Sequence, residues 1–261
     1  MSVHLQASLA DWAPPTLGEL LRWPIPERKF TDRCLIRCLT LLARSQINMV
    51  FGLEHVEPAN DPFIVALNHG TRRESLLVPA ILMPYRGGRF IHFMADWNYR
   101  LIPGLGLIYR RAETTTVTGK SAKPRVLNFL KPIYRKGRLT VIERTRARLL
   151  SGMPVGIFPE GRVNTDQDRL LKGRIGAAFL SLETGVPVIP VGIRLPAAEP
   201  GCVAPHAPLE IRIGAPLMPP RLPPGGAAIA DLRVWHAAIM GEIGRLSGKT
   251  WGSATGGQND R

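Results

Sequence analysis

The chain has 261 residues, enough for one large domain or two small ones, and its 45% apolar content excludes a disordered protein. A formal net charge of +14 calls for an anionic partner: a nucleic acid, a membrane surface or an anionic substrate. The three cysteines, Cys34, Cys38 and Cys202, have no metal or redox spacing, which excludes a C-x-x-C centre and suits a reducing compartment.

In chain order, residues 1–30 are rich in Trp, Pro and charge and are expected to be irregular. A helix follows over about 31–46, in which Cys34 and Cys38 read as small core residues. The stretch 34–51 comes nearest to a membrane span, but Arg37 and Arg44 interrupt it. Seven residues apart, these arginines share a helix face. An amphipathic helix lying in a membrane interface and a helix packed on the main domain both fit, so residues 1–46 are set apart as an N-terminal, membrane-associating segment. No stretch resembles a secretory signal.

The runs "INMVFGLEHV" and "DPFIVALNH" read as strands separated by the turn "EPAND". A helix is expected at 72–83, with Pro79 a kink, and then the strand "RFIHFMA". Residues 121–151 read as helical with a break at 136–138. "MPVGIFPEG" is a short buried strand that ends in a polar loop. In "GRIGAAFLSLETG", Ile175, Ala178, Phe179 and Leu182 fall at helical spacing, and Gly185 closes the helix. "VPVIPVGI" and "LEIRIG" are strands, 216–226 is a Pro-rich connection, and a last helix covers 228–247. Strands alternating with helices predict an α/β domain over 47–247, with a largely parallel central sheet flanked by helices. Residues 248–261 are expected to form a disordered tail.

The charge is concentrated. Between Arg100 and Arg148 there are thirteen Lys/Arg against two Glu. Nucleic acid is a poor partner for this block. "TGKS" at 118–121 is no P-loop, because Thr114 stands where the motif needs glycine, and no aromatics are interleaved as stacking platforms. An anionic membrane surface or an acidic carrier protein remains.

Two predicted strands end in chemistry, at the place where open α/β sheets bind ligands. The first ends in Asn68-His69, with Glu74 five residues on. Thr71 and Glu74 make a capping box that holds the carboxylate near the histidine. One carboxylate oxygen would meet a backbone N–H and the other the imidazole N–H, leaving the second ring nitrogen to take a proton from a hydroxyl. Arg72 and Arg73 favour neutral imidazole, the form a base needs. The second strand ends in "FPEGR", 158–162, where turn N–H groups, Glu160 and Arg162 suit an anionic or polyhydroxyl head group. Lys172-Gly173, at an expected helix start, opposes the helix dipole and so points to anion binding. No G-x-S-x-G elbow is present, which argues against a serine esterase, and no metal-ligand constellation is visible.

Asn68-His69 with an acid five residues on, then "FPEG", then "LLKGRIGAAFLSLETGVPVIPVGI", resembles the PlsC-type glycerolipid acyltransferase family, which includes lysophosphatidate acyltransferases, over roughly residues 47–215. The resemblance implies an α/β domain on a membrane surface that moves an acyl chain from a thioester to a hydroxyl. It casts His69 as general base and Glu74 as the acid that orients it. Glu160, Gly161 and Arg162 would belong to the acceptor site, with Lys172 and Gly173 nearby. "IPGLGLIYRRAETTTV" resembles the family's second block, whose arginine binds the acceptor's phosphate; Arg110, Arg111 or Lys120 would serve here. The chain departs from the family in having Glu74 where Asp is usual, and "FPEGRVN" where FPEGTRS is usual. The expected protein is a peripheral enzyme on the cytoplasmic face of a membrane. It takes a lysolipid acceptor and acyl-CoA or acyl carrier protein as donor, and needs neither cofactor nor metal. The rival reading is a catalytically weak, lipid-binding member of the same fold acting as an interaction protein.

Overall fold

The apolar run before Asn68 forms the middle of the sheet. In the computed structural model, which describes residues 15–26, 28–102, 105–119, 121, 125–130, 132, 139–195, 197–199, 202–203, 207–221 and 228–252, strand β2 spans Ile64–Leu67 and is buried throughout. The other strands of its sheet are β1 (Ile47–Phe51), β3 (His92–Asp96), β4 (Thr115–Val117), β5 (Val155–Ile157), β6 (Val188–Arg194) and β9 (Leu209–Ile213). Their order is β1-β9-β6-β2-β5-β3-β4. Five strands, β6-β2-β5-β3-β4, run parallel. β9 is antiparallel to β6, and β1 pairs in parallel with β9. A short hairpin, β7 (Ala197–Glu199) with β8 (Cys202–Val203), stands apart from the sheet. The α/β class and the largely parallel sheet hold; the reversed β9–β1 edge is new.

Among the described residues the helices with assigned bounds are α1 (Leu17–Arg22), α2 (Phe30–Arg44), α3 (Glu74–Tyr85), α4 (Leu105–Arg111), α5 (Val141–Leu150), α6 (Gly176–Thr184) and α7 (Ile229–Ser247). Side chains of a strand alternate between faces, and β2 splits its residues accordingly. Val65 and Leu67 join one core with Leu77, Val78 and Ile81 of α3 and Ala43 of α2. Ile64 and Ala66 join the other, with Ala178 and Leu180 of α6 and Ile239 and Ile243 of α7. The result is three layers, helix–sheet–helix, and burial of each of the Val, Leu and Ile side chains contributes about 1.5–3 kcal/mol. The chain runs from β2 through α3 to β3, and from β5 through α6 to β6 on the other side of β2. The carboxyl ends of β2 and β5 therefore stand side by side, and their loops meet.

Several expectations are corrected. Residues 17–22, expected to be irregular, form α1, closed by a capping box between Thr16 and Glu19. Cys34 and Cys38 are exposed, because the buried stripe of α2 runs through Ile36, Thr40 and Ala43. That stripe rests on α3, where the Thr40 hydroxyl donates to the Ala80 carbonyl at 2.7 Å. Phe30 and Leu42 of α2 remain exposed. α3 begins at Glu74, two residues late, and carries Pro79 and Pro84 within it. Within 121–151 the described elements are a 3-10 turn, Arg125–Leu130, and α5.

Residues 248–252 are not a loose tail. Thr250 pairs with Arg169, its N–H donating to the Asp168 carbonyl at 2.7 Å while Leu170 N–H donates to Thr250 O at 2.9 Å. Among the described residues no helix is long and apolar enough to cross a membrane.

Candidate active site

Asn68 turns the chain at the end of β2. Its buried amide accepts from Ile193 N–H at 2.6 Å and donates to Ile193 O at 3.0 Å, so it takes the place of one more residue of the ladder with β6. The next residue leaves the sheet, and His69 emerges at the strand end.

The imidazole Nδ1 of His69 lies 2.8 Å from Glu74 Oε1. Glu74 is fully buried at the positive end of α3, where the helix dipole favours a carboxylate. The longer side chain still closes the pair, so glutamate in place of aspartate does not open it. The capping box is only half formed. Thr71 N–H donates to Glu74 Oε1 at 2.6 Å and the Thr71 hydroxyl to Oε2, but that hydroxyl accepts from Arg73 N–H rather than from Glu74 N–H. The amide and the imidazole thus share one oxygen instead of taking one each. With Nδ1–H donating to Glu74, the acceptor lone pair of the neutral ring sits on Nε2. Among the described residues Nε2 makes no hydrogen bond. The ring packs on Phe158, centroids 4.5 Å apart.

Glu160 has another role than the one expected. It is buried, and its carboxylate accepts from His69 N–H at 2.8 Å, from the Asn164 side chain at 2.7 Å and from Leu171 N–H at 3.0 Å. Asn164 N–H in turn donates to the His69 carbonyl at 2.6 Å. Glu160 and Asn164 thus grip both sides of the histidine's backbone, and Glu160 is spent on the protein rather than on an acceptor. Asn164 has no counterpart in the sequence reading; its only signal is an asparagine four residues after the glutamate.

Gly161 turns at φ 66°, and a Cβ there would sit 2.9 Å from the Arg174 side chain. Lys172 and Gly173 are displaced from the site. α6 begins only at Gly176, so Lys172 does not oppose its dipole. The Lys172 carbonyl lies 3.0 Å from the His236 ring Nε2 and accepts from the Trp251 indole at 3.2 Å, while Gly173, at φ 77°, abuts His236 and Met240. Both residues anchor the loop to α7. Arg174, which sequence reasoning missed, faces the site instead.

His69 lines a cavity of about 1180 Å³, whose lining also includes Arg72, Arg162 and Arg174. Its walls are apolar: Leu76, Pro79 and Met83 of α3, Ile91 and Phe93 around β3, and Ile108 of α4. Tyr109 also lines it, and burial raises that phenol above its ordinary range. Arg73 points elsewhere, to Gln46 and the Ala207 carbonyl. Neither Arg110 nor Arg111 lines the cavity. Arg110 is exposed, and Arg111 pairs with Asp32 of α2. Lys120 lies outside the described residues. Parts of the basic block are spent internally, with Arg146 on Glu183 and Arg144 on the Thr116 carbonyl.

The arrangement is a buried acid holding an imidazole in the wall of a largely apolar cavity that three arginines also line. This suits proton removal from a hydroxyl next to a bound aliphatic chain. Among solved structures, the chain is similar to the crystal structure of the 1-acyl-sn-glycerophosphate (LPA) acyltransferase PlsC from Thermotoga maritima, with 18% identity over 89% of each chain and a TM-score of 0.52, a likeness of fold. The family model described as Acyltransferase matches residues 49–194, from β1 to the end of β6 and across both strand-end loops; with more than half its length matched, this chain belongs to the acyltransferase family.

Proposed function

We propose that this protein is a peripheral membrane O-acyltransferase that moves a fatty acyl group from acyl-CoA or acyl carrier protein to the hydroxyl of a lysophospholipid. The observation that carries this reading is the His69–Glu74 pair in the wall of the largely apolar cavity. The acceptor oxygen attacks the thioester carbonyl while His69 Nε2 takes its proton. The carbon–sulfur bond then breaks, and the imidazolium returns the proton to the leaving thiolate. Glu74 stabilises the imidazolium between the two steps, and no acyl-enzyme forms. The acyl chain lies against the α3 and β3 walls. Arg72, Arg162 and Arg174 meet the acceptor's anionic head group, as guanidinium forks suit phosphate. The name of the structural relative supports a lysophosphatidate-like acceptor.

The exposed Phe30 and Leu42 of α2, with Leu17 and Leu21 of α1, support attachment in a membrane interface. The test is incubation of the purified protein with labelled acyl-CoA or acyl carrier protein and a panel of lysolipids. A labelled diacyl product is expected. Thioester hydrolysis alone, or no turnover with any acceptor, overturns the reading.

A further inference from the structure

The segment after α7 closes on the loop that holds the His69 backbone. Gly248 ends the helix in the left-handed region, and the chain turns back beneath residues 164–172. Thr250 pairs with Arg169, and the Trp251 indole N–H reaches the Lys172 carbonyl. Between these contacts Lys249, only 9% exposed, donates its ammonium to the Asp166 carbonyl. Asp166 N–H donates to the Asn164 side chain at 3.1 Å, and Asn164 and Glu160 hold the carbonyl and the N–H of His69. A short run of hydrogen bonds thus joins the chain's penultimate segment to the base.

Charge points the same way. Glu74 and Glu160 are 0% and 6% exposed, and among the described residues neither pairs with a lysine or an arginine within 4.0 Å. Buried carboxylates need a nearby countercharge. Lys249 supplies one. Burial pulls its ammonium below the usual lysine range, while the fields of Glu160, Asp166, Glu74 and Asp168 act in the opposite sense. A lysine placed in this desolvated spot is a costly choice for ending a helix.

We propose that Lys249 is a positioning residue for the transfer reaction: from the C-terminal segment it holds the 164–172 loop, and through Asn164 and Glu160 the backbone of His69. The inference rests on reading the site as an acyltransferase centre. Its test uses the full chain and two readouts, steady-state kinetics and amide hydrogen exchange. Lys249→Met is expected to lower kcat at least tenfold, with less than threefold change in the KM of either substrate. It should also speed exchange at the His69, Asn164 and Leu171 amides at least tenfold, leaving the sheet amides of Val191 and Ile211 unchanged. Lys249→Arg should recover kcat to within threefold. Trp251→Phe, which removes the donor to Lys172 and trims the ring packed on His236 but leaves Lys249 in place, should loosen the same three amides less.

The proposal is overturned if Lys249→Met leaves kcat and those amides as in the wild type. It is also overturned if the loosening spreads equally to Val191 and Ile211, or if arginine fails to restore the rate. Absence of acyl transfer by the wild type would sink the proposed function, and the exchange pattern would still decide the clasp.

Discussion

Replacing Glu74 with glutamine separates a helix cap from a catalytic acid. The carboxylate receives three donors: His69 Nδ1–H, Thr71 N–H and the Thr71 hydroxyl. A glutamine carbonyl in the place of Oε1 still accepts from the imidazole and the amide, and its NH2 can donate to the Thr71 hydroxyl once that group rotates. The hydrogen-bond count survives, so stability should change by no more than about 1 kcal/mol. What is lost is the charge. With Nδ1 and Oε1 2.8 Å apart, the charge centres of the pair lie ~4 Å apart, and unit charges there attract by ~4 kcal/mol at an effective dielectric of ~20. A transition state with a half-formed imidazolium realises about half of this and a fully formed one all of it, so kcat should fall by roughly 30- to 1000-fold. The assay is steady-state transfer of labelled acyl-CoA to a lysolipid, with a thermal melt of the same sample. A Glu74→Gln protein with normal melting and kcat within threefold of wild type would refute the reasoning and leave Glu74 as a cap alone.

The remaining predictions follow from the same geometry. His69→Ala should lower transfer on the order of 100- to 10,000-fold while circular dichroism and melting stay those of the wild type. On anionic vesicles the protein should sediment at 0.1 M salt, where the Debye length is ~10 Å, and be partly released at 1 M, where it is ~3 Å; the double variant Phe30→Ala, Leu42→Ala should make that release complete, and binding indifferent to salt and lipid charge would count against both the basic block and α2. His92, at the start of β3, is held at about 4 by burial first and then by Arg148. The unfolded chain takes up that proton near the ordinary histidine value and the native chain does not, so stability should fall as pH drops from about 6.5 to 4, by on the order of 2 kcal/mol after solvent screening. Melting curves of His92→Gln should show a flatter pH dependence over that window, and an unchanged slope would assign it to other groups.

The sequence alone carried most of the local order: the strands of the sheet, most of the helices, and that two strands end in Asn68-His69 and "FPEG"; it misplaced the buried faces of α2 and α6, where Cys34, Cys38, Ile175 and Phe179 are exposed. Period and turn chemistry are properties of neighbouring residues, so they are legible without a fold. The His69–Glu74 pair spans five positions across one turn, and it was legible for the same reason. The role of Glu160 was not, because its partner lies 91 residues away and is reached only when β5 takes its place beside β2. The sheet also set the fate of "LLKGR". The sequence marked Lys172 as the anion binder, but the turn at Gly173 docks that stretch on α7 and presents Arg174 instead. The direction of β9, the pairing of Arg111 with Asp32 and the docking of residues 249–251 on the 164–172 loop likewise depend on contacts between distant segments. Such contacts are chosen by how whole layers bury their apolar faces together, and no single stretch of the chain records that choice.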